Sequence, residues 1–464
     1  MPTGCEQGRR MKRLSRWLVV FLWVLVSGFE SAELLSGASA YFVAPTGSDE
    51  NPGTIGRPFT SLQKANTLLK PGDVVYIRGG TYRMKENEIA RFDGILAFPV
   101  VFDRSGTRER PIRYLAYEDE EPVFDFSDVK PKDYRVYAFA VTGSWLEFKG
   151  ITITGVQVTI LKHTQSVSVF NKGSYNLFEQ LTLCNSQAIG FYGLGGAYNL
   201  VLNCDAYENW DRTSEDGRGG NVDGFGYHAT RAGHVGNRFY GCRAWNNSDD
   251  GWDLINSFAP VTVENCWAAY NGYNEGRPTG DGNGFKLGGY GNMAASKVPI
   301  PPPRHVLRGC LAVGNKQSGL YANHHTGGCD WFYNTAYRNK RNVNMLSRPP
   351  DNGNDRPGED HVLENNLSYK GGLSPELHNT NLQKCVLKNN SFDLQGALSS
   401  NYFISLDEDQ LKLPRRADGS LPDITLMVPK EGSRYKGMGF SFYEQDSPMN
   451  VKQQWRKAIP RDRR

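Results

Sequence analysis

Asn203-Cys204-Asp205-Ala206-Tyr207-Glu208-Asn209 is the stretch whose reading decides the fold, because the chain repeats it. Gly241-Cys242-Arg243-Ala244-Trp245-Asn246-Asn247, Asn265-Cys266-Trp267-Ala268-Ala269-Tyr270-Asn271 and Gly309-Cys310-Leu311-Ala312-Val313-Gly314-Asn315 are copies, and Asn334-Thr335-Ala336-Tyr337-Arg338-Asn339 carries Asn in the Cys position. Each has Ala two places after the Cys position and Asn three places after that. The alternation is that of a strand. A second pattern of Gly, a large apolar residue and a variable residue follows the first four copies: Gly224-Phe225-Gly226, Gly251-Trp252-Asp253, Gly284-Phe285-Lys286 and Gly319-Leu320-Tyr321. The Asn-to-Gly distances are 15, 4, 13 and 4, so four is the minimal turn and the longer two carry insertions, near 210–220 and 272–281. The uninterrupted repeat is 24 residues, Cys242 to Cys266 and again Cys310 to Asn334.

A repeat of two dozen residues built from short strands and turns implies a coil whose rungs stack at ~4.7–4.9 Å. The predicted fold is all-β, a right-handed parallel β-helix. A propeller blade needs about 40–45 residues, which this period does not allow. Phe59–Leu69 has helical spacing, ends at Pro71-Gly72, and is predicted to cap the N-terminal end of the coil. Residues 41–415 read as the β-helix and 416–464 as a last turn with a charged, frayed tail. The composition agrees. Gly is 51 of 464 and 12% of residues are aromatic, a combination that excludes a helical bundle and a disordered chain.

In the first forty residues, Arg9, Arg10, Lys12, Arg13 and Arg16 precede an apolar run, Trp17–Val26, too short to span a bilayer. Residues 1–40 therefore read as a signal peptide and pre-region, with small residues for cleavage at Val26-Ser27-Gly28 or Ala38-Ser39-Ala40. An uncleaved anchor is the alternative. The chain is expected to be secreted, extracellular or periplasmic, and to act as a monomer. Lys plus Arg is 53 and Asp plus Glu 49, and with residues 1–40 removed the net charge is +2. Nucleic acid is not an expected partner.

In a stacked coil, equivalent positions become neighbours. Phe225, Trp252, Phe285 and Leu320 form a core stack. Cys204, Cys242, Cys266 and Cys310 form a ladder of buried thiols rather than disulfides or a metal cluster. Asn209, Asn247, Asn271, Asn315 and Asn339 stack their amides at a turn. Two columns differ. Before the Gly stand Asp223, Asp250, Asn283 and Ser318; two places after it stand Gly226, Asp253, Lys286 and Tyr321. With Asp249 beside Asp250, four carboxylates converge on two rungs and a lysine stands on the next. Singly, each Asp reads as a turn residue. Together, stacked carboxylates repel unless neutralised, and a hard cation with oxygen ligands, Ca²⁺, is the remedy. A lysine beside a bound cation should have a lowered pKa and can serve as a base. A base and a carboxylate-binding cation suit removal of the C-5 proton of a uronate, followed by β-elimination.

Asn221-Val222-Asp223-Gly224-Phe225, Trp245-Asn246-Asn247-Ser248-Asp249-Asp250-Gly251-Trp252-Asp253-Leu254 and Gly282-Asn283-Gly284-Phe285-Lys286-Leu287-Gly288-Gly289 together resemble the family nine polysaccharide lyases, the β-helical pectate lyases. The likeness runs over roughly residues 41–400. It implies that Asp223, Asp249, Asp250 and Asp253 hold Ca²⁺, that Lys286 is the base, and that the substrate is polygalacturonate. Alternatives are a lyase or C-5 epimerase on another uronate polymer (alginate, a rhamnogalacturonan backbone or a glycosaminoglycan) and a non-catalytic carbohydrate-binding β-helix. The insertions at 210–220 and 272–281 are expected to wall the cleft and to offer Arg212, Arg218 or Arg277 to substrate carboxylates. His324, His325 and Arg338 have no assigned role.

Overall fold

The computed structural model describes residues 37–461; residues 1–36, with the n-region and apolar run, lie outside them. The chain winds as a coil of three sheets, parallel except for the antiparallel pair Arg91–Asp93 and Leu96–Phe98 at the edge of the third. The first starts at Ala40–Val43 and ends at Val386–Lys388 with twelve strands, the second runs from Gly80–Lys85 to Leu367–Tyr369 with ten, and the third has twelve and includes Phe225–Tyr227, Trp252–Asp253, Phe285–Lys286 and Ser318–Tyr321. Each rung visits them in that order.

The repeat columns are the observed registers. Phe225 pairs with Trp252, Trp252 with Phe285 and Phe285 with Leu320. All four are buried, and the rings of Phe225, Trp252 and Phe285 stack at 4.8 Å. At the corner from second to third sheet the Asn column forms an amide ladder. Asn209 Nδ2 donates to Asn247 Oδ1 at 3.0 Å, Asn247 to Asn271 at 3.0 Å, Asn271 to Asn315 at 2.9 Å and Asn315 to Asn339 at 2.9 Å. Each amide also serves the backbone, as Asn247 Nδ2 does to Ala206 O at 3.0 Å. A buried corner thus keeps its polar groups paired. At the preceding corner, from first to second sheet, thiols do this work. Cys242 N–H donates to Cys266 Sγ at 3.3 Å and Cys266 N–H to Cys310 Sγ at 3.4 Å, before Asn334 takes over from Cys310 N–H at 3.0 Å. The described cysteines are all free.

The capping helix is one short turn, Leu62–Asn66, rather than Phe59–Leu69, and Ser61 Oγ caps it by accepting from Lys64 N–H at 3.1 Å. Phe59, Leu62, Ala65 and Leu69 still all face the core. The coil begins slightly before residue 41: Ser39 N–H donates to Asp73 Oδ1 at 2.8 Å, and Ala40 pairs with Val74.

The C-terminal region differs from the frayed tail expected of it. Leu421, Leu426, Met427, Tyr435, Met438 and Phe440 are buried against Trp267, Leu311, Val313, Tyr337 and Leu367 on the outside of the second sheet. The helix Pro448–Ala458 then lays Val451 and Trp455 over Leu177, Leu200 and Leu202 on the first. Local polarity concealed this, because apolar residues spaced irregularly along a strap carry no period. Arg415 anchors its start, buried against Asp205 at 2.6 Å. The strap covers two outer faces, and the acidic column stands on the third.

Candidate active site

Asp223 and Asp250 each end the turn that leads into a strand of the third sheet, just before a glycine. No side chain fits at that glycine: a Cβ on Gly251 would stand 2.6 Å from Gly284 O. The residue before it links successive rungs. Asp223 Oδ1 accepts from Asp250 N–H at 3.1 Å, Asp250 Oδ1 from Asn283 N–H at 2.6 Å and Nδ2 at 2.8 Å, and Asn283 Oδ1 from Ser318 N–H at 3.0 Å. One carboxylate oxygen is therefore committed to the fold. The other oxygen of Asp250 is buried, outside hydrogen-bonding geometry, and 3.0 Å from Lys286 Nζ.

Asp253 and Lys286 are register partners on adjacent strands and alternate outward from the apolar stack. Lys286 Nζ donates to Asp253 Oδ2 at 3.0 Å. Asp253 Oδ1 accepts from Ile255 N–H at 2.7 Å, which fixes the carboxylate's rotation. Asp223, Asp250 and Asp253 are buried and can each bring one oxygen within 4.8 Å of the others. Asp249 is buried beside them but outside that triad, with Oδ1 accepting from Asp281 N–H at 2.6 Å.

Burial first, and then the neighbouring carboxylates, pushes Asp223 and Asp249 well above the usual carboxylate range. Burial alone would lower Lys286, but Asp250 and Asp253, followed by Asp249 and Asp223, outweigh it and hold its ammonium well above the ordinary lysine value. In the protein by itself the direction is thus opposite to the one expected beside a cation, because uncompensated carboxylates surround the amine. Four buried carboxylates facing one ammonium leave an excess of negative charge, costly in a low-dielectric site. An all-oxygen donor set, in which one buried oxygen of Asp250 makes no hydrogen bond and is met only by the Lys286 ammonium, fits a hard divalent cation.

Sequence reasoning missed three neighbours. Asp281 lies in the second insertion, outside every repeat column. Tyr321 is in register with Lys286 and was legible only as a variable position. His228 Nδ1 is 3.0 Å from Tyr192 Oη, and its Nε2 lies 4.0 Å from Asp253 Oδ1.

The insertions pack beside the acidic turn. Ser248 Oγ donates to Gly219 O at 2.7 Å, and Thr279 Oγ1 to Ser248 O at 2.8 Å. Their arginines turn to their own loops or to solvent: Arg212 lies 4.7 Å over the Trp210 ring, Arg218 pairs with Asp216 at 2.7 Å, and Arg277 is exposed on a hairpin. His325 is fully buried, with Nε2 2.9 Å from Pro303 O, and serves the fold rather than a cleft. Arg338 pairs with Glu408 of the strap at 2.6 Å.

With this geometry in hand, residues 41–371 match the Pel9A-like right-handed β-helix region. The chain belongs to the family nine polysaccharide lyases. Among the relatives of this lyase, pectate lyase L of Dickeya chrysanthemi is 34% identical over 419 residues, 88% of each chain. A solved rhamnogalacturonan lyase is 42% identical with a TM-score of 0.82, over 87% of this chain and all of that one. Pectate lyase Pel9A is 32% identical with a TM-score of 0.67, over 87% of this chain and 92% of that one. No helix among the described residues is long and apolar enough to cross a membrane.

Proposed function

We propose that this lyase cleaves a galacturonate-containing polymer by calcium-dependent β-elimination, with Lys286 as the base. The observation that carries the reading is one lysine nitrogen 3.0 Å from both Asp250 and Asp253, on the rung after a carboxylate triad. Asp223, Asp250 and Asp253, with Asp249 alongside, are the residues that would hold Ca²⁺. An ion held there would supply positive charge that offsets the carboxylates keeping Lys286 protonated and would favour the substrate carboxylate at deprotonation of C-5. Lys286 Nζ in its neutral form takes the C-5 proton. The electron pair forms the C-4–C-5 double bond, the bond from C-4 to the glycosidic oxygen breaks, and that oxygen leaves and gains a proton. No water is consumed. The rigid backbone of adjacent strands places the amine, which lowers the entropic cost of reaching the proton.

Two polymers are supported to different degrees. Polygalacturonate follows from the pectate lyase relatives, and a rhamnogalacturonan backbone from the 42% identity to a rhamnogalacturonan lyase. Export fits the reading, since such polymers are met outside the cell. Cleavage at Val26-Ser27-Gly28 would leave intact the strand that begins at Ala40. The test is ultraviolet absorbance of unsaturated ends from both polymers, with and without chelator, for wild type and Lys286→Arg. Arg keeps the charge but stays protonated, with a pKa above about 12. Near-wild-type turnover in folded, calcium-loaded Lys286→Arg would remove the lysine from the mechanism.

A further inference from the structure

Beyond Lys286 the same face carries a polar cluster of which the repeat columns contain only Tyr321. Tyr321 stands in register with Lys286 on the next rung. Three residues on, His324 Nε2 lies 3.5 Å from Tyr321 Oη and 3.7 Å from Asp355 Oδ1. Asp355 Oδ1 accepts from Arg348 Nε at 2.6 Å. Arg348 and Asp355 belong to one excursion, closed by the antiparallel pair Leu346–Ser347 and Arg356–Pro357. His324 N–H ties it down by donating to Leu346 O at 2.9 Å. The arginine then folds back toward the lysine's rung: a Cβ on Gly291, in the segment following Lys286, would stand 3.0 Å from Arg348 Cδ.

Only Nε of this guanidinium is engaged. Its two terminal amines make no hydrogen bond among the described residues, and the side chain is 31% exposed. Asp355 therefore fixes the orientation and leaves a two-pronged donor open. Such a fork matches a carboxylate in bidentate fashion. Arg212, Arg218 and Arg277 lack this arrangement, being self-paired, stacked or at a loop tip.

The geometry points to Arg348 as a specificity-determining residue that takes the carboxylate of the uronate next to the one facing Lys286. The inference rests on the proposed uronate-lyase activity and adds a preference within it. With one carboxylate drawn to the acidic triad and a second at Arg348, the cleft selects consecutive uronates. A backbone alternating uronate with a neutral deoxysugar offers nothing to Arg348 at that position. Asp355 and His324 are positioning residues, acting through the arginine.

The experiment compares Arg348→Gln and Arg348→Lys with wild type, all calcium-loaded, on polygalacturonate and on a rhamnogalacturonan backbone. Loss of a charge-assisted pair at a half-exposed site should raise KM on polygalacturonate roughly tenfold in Arg348→Gln, with kcat changed less than about threefold. Arg348→Lys should recover part of the loss, and KM on the alternating backbone should move less than about twofold. Equal changes on both polymers, or an unchanged KM on polygalacturonate, would overturn the assignment. Calorimetry of tetragalacturonate in the Lys286→Arg background, with and without Arg348→Gln, separates this claim from the activity. If wild type cleaves neither polymer, the lyase reading fails, while binding weakened about tenfold by Arg348→Gln still supports the clamp and unchanged binding refutes it.

Discussion

Acid should unfold this protein through a corner where histidine has replaced asparagine. At the turn into the first sheet, Asn176 Oδ1 accepts from Leu146 N–H at 2.9 Å, Asn199 from Asn176 N–H at 3.0 Å and Asn237 from Asn199 N–H at 3.0 Å. Further along, His305 Nδ1 accepts from Val261 N–H at 3.2 Å and His361 Nδ1 from Cys329 N–H at 2.9 Å. His325 Nδ1 accepts from Gly289 N–H at 3.3 Å. A protonated Nδ1 cannot accept, so each of these rings must stay neutral in the fold. They face one another, Arg304, Cys329 and Tyr290, with no carboxylate among their closest charged neighbours to favour the imidazolium. Burial lowers all three, His325 to about 4 and His361 to about 3. A histidine with a depressed folded pKa binds its proton in the unfolded chain first. Its contribution is whole above the unfolded value of 6.5 and is lost as pH falls toward the folded one. At pH 4.5, two units down, each of His325 and His361 costs about 2.7 kcal/mol at about 1.36 kcal/mol per unit, against a total stability of about 5–15 kcal/mol. Asp223 and Asp249 work the other way, since carboxylates with raised pKa gain stability as they protonate. His361→Asn isolates the effect: the ladder's own residue is restored and the carboxylates are unchanged. Urea unfolding in chelator at pH 7 and pH 4.5, followed by circular dichroism, should show His361→Asn losing about 2–3 kcal/mol less than wild type over that interval. Equal losses would refute the role of His361, whatever pH-independent cost the smaller side chain brings at pH 7.

Two further outcomes follow from the site. Asp250→Ala should weaken calcium binding and activity together, and calorimetry showing undiminished calcium affinity would sink the assignment of Asp250 as a ligand. Replacing Arg212, Arg218 and Arg277 together with Ala should change KM on polygalacturonate less than about twofold, because all three point to their own loops or to solvent; a rise near that expected of Arg348→Gln would return the carboxylate contacts to these loops.

The periodic part of the molecule was legible because stacking makes each column a spatial neighbourhood. Phe225, Trp252 and Phe285 had to meet, and so did Asp253 and Lys286, once the 24-residue period was read. What lies between rungs followed no such rule. Asp281 and the Arg348–Asp355 excursion sit in insertions whose lengths differ, so nothing in the sequence sets their heights along the coil. The strap after residue 416 has no repeat, and its buried Leu421, Met427 and Tyr435 look like scattered apolar residues in a polar tail. The histidine corner is concealed differently. His305 and His361 stand in an asparagine column, but the substitution shares only the ability to accept a hydrogen bond, which no pattern of hydrophobicity displays.

The same accepting ability explains how a costly acidic cluster can sit inside a regular coil. The column before the glycine needs a side-chain acceptor to bind the next rung's N–H, and Asp223, Asp250 and Asn283 all supply it. An amide would meet that need without charge, as Asn283 does. Asp in place of Asn at two successive rungs therefore adds nothing to the ladder, and it adds a charge that burial first, and then the neighbouring carboxylates, disfavour, pushing Asp223 and Asp250 upward in pKa. The surplus lies in the second oxygens, with Asp250 Oδ2 turned toward Lys286 and away from any hydrogen bond. A coil that can be built with Asn and carries Asp at this place, next to the lysine and on the one outer face the strap leaves bare, has given up stability where a cation and a substrate carboxylate can restore it.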